Sequence, residues 1–192
     1  MKIRTLAIAA LAIGLAGTSL SFTAATTASA AEKTVTVGGA PMFPSKNIIE
    51  NAVNSKDHTT LVAAVKAAGL VKTLQGKGPF MVFAPTNDAF AKLPKGTVEA
   101  LLKPENKAKL VKILTYHVVG ANALSDAIKQ MVADDGGRHP VKTVSGDTLT
   151  VSLRGDSIFL TDEQGGISKV TIADVKQSNG VIHVVDTVLL PK

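Results

Sequence analysis

Two stretches place polar, ionisable side chains inside otherwise apolar sequence: Tyr116-His117, and His183 within the run from Gly180 to Asp186. Each imidazole interrupts what reads as an apolar strand, and so is either a neutral, hydrogen-bonded core histidine or a contact for a ligand. The Tyr116 hydroxyl and the His117 imidazole are expected to find partners inside the fold, because an unpaired buried polar group costs about 1 to 3 kcal/mol. His58, near a helix start, and His139, beside Gly136-Gly137, have no second histidine or cysteine at ligand spacing, so neither is assigned to zinc. Asp134-Asp135-Gly136 and Thr161-Asp162-Glu163 lack the alternating acids and distal glutamate of an EF-hand loop and read as solvated turns. No metal site is expected.

Other reaction classes fail on residue type. The chain has no cysteine, hence neither a thiol nucleophile nor a disulfide, and no serine stands in Gly-x-Ser-x-Gly. Gly76-Lys77 is not a phosphate loop: Gly78 replaces the required Ser/Thr, and six residues rather than four separate Gly69 from Gly76. Neither enzymatic activity nor a cofactor is expected.

The elements that must position these residues are organised around Phe80-Met81-Val82-Phe83-Ala84. This apolar run without alternation predicts a central strand covered on both faces. Pro85 ends it, Thr86 or Asn87 supplies an N-cap, Asp88 sits where the helix dipole favours an anion, and a helix with Phe90 and Leu93 follows. Ahead of it, Ala31–Ser45 reads as a mobile lead-in. Helices follow from Asn47 and from Thr59, the second closed by Gly69, with a short piece over Leu70 and Leu74. Beyond Pro94 come a short helix over 96–102, a longer one opened by Pro104 and ending near Thr115, an extended Tyr116–Val119, and a helix over 125–133. Strands are predicted at 141–144, 148–153, 157–161, 168–173 and 181–190, the last beside the Phe80 strand. Helices in the N-terminal half and strands in the C-terminal half make the fold class α+β.

Residues 1–30 read as a secretory signal peptide: Lys2 and Arg4, an apolar core from Leu6 to about Leu15, then Ala28-Ser29-Ala30, with cleavage after Ala30. The core, interrupted at Gly14 and Gly17, is too short to span a membrane, which takes roughly 20 apolar residues. Removing 30 residues from 192 leaves 162, and losing Lys2 and Arg4 lowers the formal charge from +6 to about +4. That is one domain, able to bury its own core without staples. Its lysines are spread among acids with few aromatics, which reads as a solvated surface and not as a nucleic-acid groove. The product is expected to be exported and soluble, in the periplasm or outside the cell.

Three blocks resemble the fasciclin domain family: Gly78–Pro94 (GPFMVFAPTNDAFAKLP), Leu114–Val119 (LTYHVV) and Asn179–Pro191 (NGVIHVVDTVLLP). The resemblance covers about residues 46–191 in the right order. It implies a wedge or sandwich of strands packed with helices, a bacterial secreted single-domain protein, and non-enzymatic adhesion through protein or glycan contacts at a cell surface or matrix. It also implies structural roles for Phe80, Phe83, Ala84, Pro85, Thr86, Asp88, Phe90, Gly180, His183 and Asp186. Tyr116 and His117 are candidate partner contacts. So are Arg154, Gly155 and Asp156, a tripeptide at a predicted hairpin tip that resembles the integrin-binding loop of animal matrix proteins. An alternative implied by some algal members is an extracytoplasmic carrier of an apolar small molecule such as a carotenoid.

Overall fold

A computed structural model of the chain describes residues 33–192; the expected signal peptide lies outside the described residues. Strands β1 (Val35–Val37) and β2 (Ala40–Met42) form an antiparallel hairpin. Helices α1 (Ile48–Ala52), α2 (Thr59–Ala68) and α3 (Val71–Leu74) lead to strand β3 (Phe80–Pro85). Helices α4 (Asn87–Ala91), α5 (Thr97–Leu101) and α6 (Lys107–Tyr116) precede the two-residue strand β4 (Val118–Val119). Helix α7 (Ser125–Asp134) introduces the strands β5 (Arg138–Lys142), β6 (Thr148–Arg154), β7 (Ser157–Thr161), β8 (Ile167–Gln177) and β9 (Gly180–Val185). Among the described residues no helix is long and apolar enough to cross a membrane.

Seven strands form one sheet in the order β4-β3-β9-β8-β7-β6-β5. The β3–β9 pair is parallel, from Phe80 opposite Gly180 to Pro85 opposite Val185, and the other pairs are antiparallel. Successive side chains of a strand point to opposite faces, so both members of this pair feed two cores at once. Val82 and Ala84, with Ile182 and Val184, face a core completed by the hairpin and by α1–α6. Met81 and Phe83, with Val181 and Val185, face a second core with Tyr116, Ile128 and Val132, and with Leu149, Val151, Ile158 and Leu160 from β6 and β7. Since both ends of the sheet line this second core, the sheet curls over it. Strand β8 supplies the bend through register shifts between Val170 and Ile172 and between Ile172 and Val175.

Several expectations need correction. The Phe80 strand is covered on both faces, as its composition implies, but it lies second from the edge of the sheet, since β4 alone flanks it on one side. The lead-in is not a mobile arm over residues 35–42: the hairpin pins Val37 and Met42 into the first core at 4% and 3% exposure. Tyr116 belongs to α6 and His117 is its C-cap, so only Val118–Val119 is extended. Strand β5 begins at Arg138 and includes Pro140, tolerated because this is an edge strand needing fewer backbone donors. Strand β9 stops at Val185, because the amides of Thr187, Leu189 and Leu190 donate to side chains of Ser168, His117 and Asp162.

If the hairpin is part of the core, Met42→Ala lowers stability by about 2 to 5 kcal/mol, as large-to-small core changes do. A urea unfolding midpoint unchanged from wild type would show that residues 35–42 pack only loosely.

Candidate functional site

The end of α6 brings the Tyr116-His117 pair against the C-terminal segment. His117, the helix C-cap, directs Nδ1 at the Ile113 carbonyl (2.9 Å), one of the last-turn carbonyls without a helical partner. Its Nε2 receives the Leu189 amide proton at 3.0 Å, which requires Nε2 to be the acceptor and places the ring proton on Nδ1. Both nitrogens are therefore occupied in the neutral ring. Burial pushes the His117 pKa down to about 4, against smaller opposing effects from the Ile113 carbonyl and Asp162.

Tyr116, fully buried, donates its hydroxyl to the Thr148 carbonyl (3.0 Å) and accepts the Glu163 amide (3.2 Å). One side chain thus ties α6 to the start of β6 and to the turn after β7. Burial raises its pKa to about 12, the Glu163 amide working the other way. The pair's polar atoms find their partners inside the fold, as burial requires, and at 0% and 2% exposure neither residue reaches the surface.

His183 on β9 is equally enclosed and lies 5.9 Å, centroid to centroid, from the Phe83 ring. Its Nδ1 accepts the Asp174 amide (3.3 Å), so Nε2 donates to the Ala123 carbonyl (3.1 Å). Asp174 itself has φ +61°, in the left-handed region rarely used by residues other than glycine. That conformation, at the irregular stretch of β8, aims its carboxylate at α7, where it accepts the Ser125 amide at 2.6 Å and the Ser125 hydroxyl at 2.5 Å. Helix α7 lacks a capping side chain from its own N-cap residue, Leu124, so Asp174 caps it from across the fold.

The first motif block holds the expected local structure. Thr86 caps α4 by accepting the Ala89 amide (3.2 Å), Asp88 lies exposed in the first turn, and Phe90 is buried. Phe83, Ala84 and Pro85 are buried and Phe80 is half-buried. Gly180 is obligatory, since an added Cβ would overlap the Phe80 carbonyl oxygen. Asp186 accepts the Lys169 amide (2.9 Å) and the Thr187 hydroxyl (3.0 Å), with the Lys92 ammonium 3.8 Å away. Burial alone would raise its pKa, but these hydrogen bonds and the Lys92 charge together hold it below the usual value.

Three further anchors leave no local signal in the residues. Asp162, predicted as part of a solvated turn, is buried and accepts the amides of Gln164, Gly166 and Leu190 at 3.0, 2.6 and 2.9 Å. Asn179 donates to the Leu74 and Gly76 carbonyls and accepts the Ile48 amide. Asp174 was missed because the expected strand ended at residue 173. A carboxylate that closes contacts 28 to 49 residues away in sequence leaves no local trace.

Arg154, Gly155 and Asp156 are exposed at the β6–β7 turn, where Asp156 borders a surface groove shared with Ser125, Lys129 and Lys169. Arg154 pairs with Ser157, and Gly155, at φ +57°, takes the first position of the two-residue turn. The Arg154 guanidinium folds back over the Phe159 ring, 4.7 Å from its centroid, while Asp156 stays exposed. His58 hydrogen-bonds Ser55 at 2.8 Å and His139 pairs with Asp135 at 2.6 Å. Among the described residues no three His, Cys, Asp or Glu side chains converge as metal ligands.

The model of the fasciclin domain family matches residues 56–191, so the hairpin and α1 lie ahead of the matched span. The chain belongs to the fasciclin domain family. A Synechocystis protein, sll1483, is 47% identical over 162 residues, covering 83% of this chain and 82% of that one. Pig transforming growth factor-beta-induced protein ig-h3 is 39% identical over 131 residues, 68% of this chain and 17% of its own length. Immunogenic protein MPB70 of Mycobacterium bovis is 35% identical over 146 residues, covering 73% and 66%. The fold matches a FAS1 domain pair from the insect cell adhesion molecule fasciclin I, with TM-score 0.69 and 15% identity over 83% of this chain and 58% of that one.

Two outcomes test the structural role of this fasciclin motif. Tyr116→Phe strands the Glu163 amide and the Thr148 carbonyl and lowers stability by about 1 to 3 kcal/mol; an unchanged urea midpoint would contradict it. Because the folded-state pKa of His117 lies below the ordinary 6.5, the unfolded chain binds more protons between pH 6.5 and about 4. Stability is then fully present above pH 6.5 and falls as the pH drops to about 4, by about 3 kcal/mol from this group, with His58 and His183, also lowered, adding in the same sense. A pH series of urea midpoints that stays flat across this window would refute the neutral assignment.

Proposed function

We propose that this is an exported, non-enzymatic fasciclin-domain protein that mediates adhesion or surface and matrix interaction through its outer surface, by protein or glycan contacts. The observation that carries this reading is the internal occupation of the motif: the polar atoms of Tyr116, His117 and His183 bind backbone groups of the fold itself. The family blocks therefore support a scaffold role, and recognition falls to exposed residues. The tip formed by Arg154, Gly155 and Asp156 is one such feature, exposed at the β6–β7 turn.

The carrier reading draws less support. An apolar cavity lies between the β1–β2 hairpin, α1–α3 and the sheet, lined among others by Met42, Ile49, Leu61, Val65 and Ile182, but it holds only about 50 Å³. Ligand pockets are typically about 300 to 1,000 Å³, so a carotenoid would require the hairpin and helices to separate.

Beads coated with the exported protein are expected to attach to cells of the native organism. Tyr116→Phe protein, altered only beneath the surface, should attach as well as wild type, and Asp156→Asn protein should attach less, with Asp134→Asn as a charge-matched control. Failure of every version to attach would overturn the adhesion reading. Equal attachment by the Asp156 and control variants would remove the hairpin tip from it.

A further inference from the structure

We propose that the outer face of the helical layer docks an anionic polysaccharide, engaged by Lys66, Lys72, Lys103, Lys107 and Lys109. The proposal rests on the exported, surface-binding reading above and names the partner's chemistry and the surface that meets it.

Although acids are interspersed among the lysines, the basis for expecting an evenly solvated surface, the basic excess is concentrated in one span of the sequence, and the fold places that span in one layer. Residues 56–112 hold ten lysines against the four acids Asp57, Asp88, Glu99 and Glu105, whereas residues 113–192 hold seven basic residues against nine acidic ones. The first span contains α2 to α5 and the start of α6, whose apolar sides cover the first core. Their polar sides are turned outward, and all five named lysines are exposed. Helix α6 buries Leu110, Ile113 and Leu114 and leaves Lys107 and Lys109 in solvent, while α2 buries Leu61, Ala64, Val65 and Ala68 and exposes Lys66.

Three of these cations gather at one helix end. The Lys107 ammonium lies 3.6 Å from where a Cβ on Gly69 would stand, so it reaches over the C-terminus of α2, one turn beyond Lys66 and just ahead of Lys72. The negative end of a helix dipole favours a cation there. Lys103 and Lys109 extend the exposed basic surface of the same layer, Lys109 on the opposite flank of α6 from Lys107, because residues two apart stand about 200° apart around a helix. Among the described residues, lysine ion pairs are confined to Lys92 with Asp186 and Lys112 with Asp147, so none of the five is neutralised by an internal carboxylate.

The composition of the face selects the kind of polyanion. It has lysines and no arginine, hence compact, strongly hydrated charges without the planar fork that pairs bidentately with phosphate. No aromatic ring is exposed on it for bases to stack upon: Phe90 and Tyr116 are buried. Nor does it carry an apolar anchor for a lipid surface, since the large exposed hydrophobic residues are Val53, Val144 and Ile167, none of them on α2, α5 or α6. A flexible, hydrated chain bearing repeated carboxylates matches dispersed ammonium groups of this kind.

The test measures binding of the whole exported protein to a soluble polyuronate, with fluorescent alginate as probe, at rising salt. Two variants of equal charge change are compared: Lys66, Lys103, Lys107 and Lys109 all changed to Gln, and Arg138, Lys142, Lys169 and Lys176 all changed to Gln. All eight positions are exposed, and the urea midpoint checks that each variant is folded. The helical-layer variant is expected to bind roughly tenfold more weakly, the combined effect of four exposed pairs, while the strand-side variant stays close to wild type. Equal weakening by both would mean that net charge alone acts, and would overturn the proposal. So would absence of alginate binding, or binding to duplex DNA or phosphatidylglycerol vesicles as tight as to alginate. Bead attachment to cells without alginate binding would remove this proposal alone; loss of both would remove the adhesion reading with it.

Discussion

The parallel pairing of β3 with β9 is the constraint on which the rest of the structure depends. It joins segments a hundred residues apart, and alternation along both strands divides their side chains between two cores. Neither core could form from one strand alone, because each needs every second residue of both. The approach is close enough at its start that Gly180 has no room for a side chain against Phe80. The two motif blocks are therefore the two halves of one packing unit.

Around that unit the fold uses buried polar side chains as ties between distant backbone segments. Tyr116, His117, Asp162, Asp174 and Asn179 each satisfy amides or carbonyls left over where a helix ends or a strand stops. An unpaired backbone group in such a place would cost more than the bond gains, so these residues matter for what their loss would expose. It also explains why residue types suited to catalysis can sit in a protein read as a binding scaffold. The His117 and His183 imidazoles, with both nitrogens occupied, and a phenol whose ionisation burial opposes, are poorly placed to exchange protons with anything outside.

On the proposed adhesion reading, recognition falls to the surface, which is uneven. The strand half carries a hairpin turn whose arginine is held against Phe159, with Asp156 exposed beside it. The helical half carries lysines in excess of carboxylates. The two features differ in range: a charged layer acts over roughly the Debye length, about 8 Å at physiological salt, while a hairpin tip acts only in contact.

Much of this was legible in the residues. The non-alternating run Phe80–Ala84 marked a strand buried on both faces, Gly69 marked the end of α2, and the alternation from Thr148 marked β6, because burial and backbone geometry act on these residues through near neighbours. Order along the chain gave the α+β class. Other features depend on partners remote in sequence. The lead-in became a hairpin because the first core offers Val37 and Met42 a place, and β9 stopped short because Ser168, His117 and Asp162 take its following amides. Asp174 adopts φ +61° because α7 lies where its carboxylate can cap it. Local pattern determined which segments would be helix or strand and which faces would be apolar. Only the tertiary structure decided which polar atoms would be enclosed and which charges would share a face, because both depend on contacts between segments that the sequence does not place side by side.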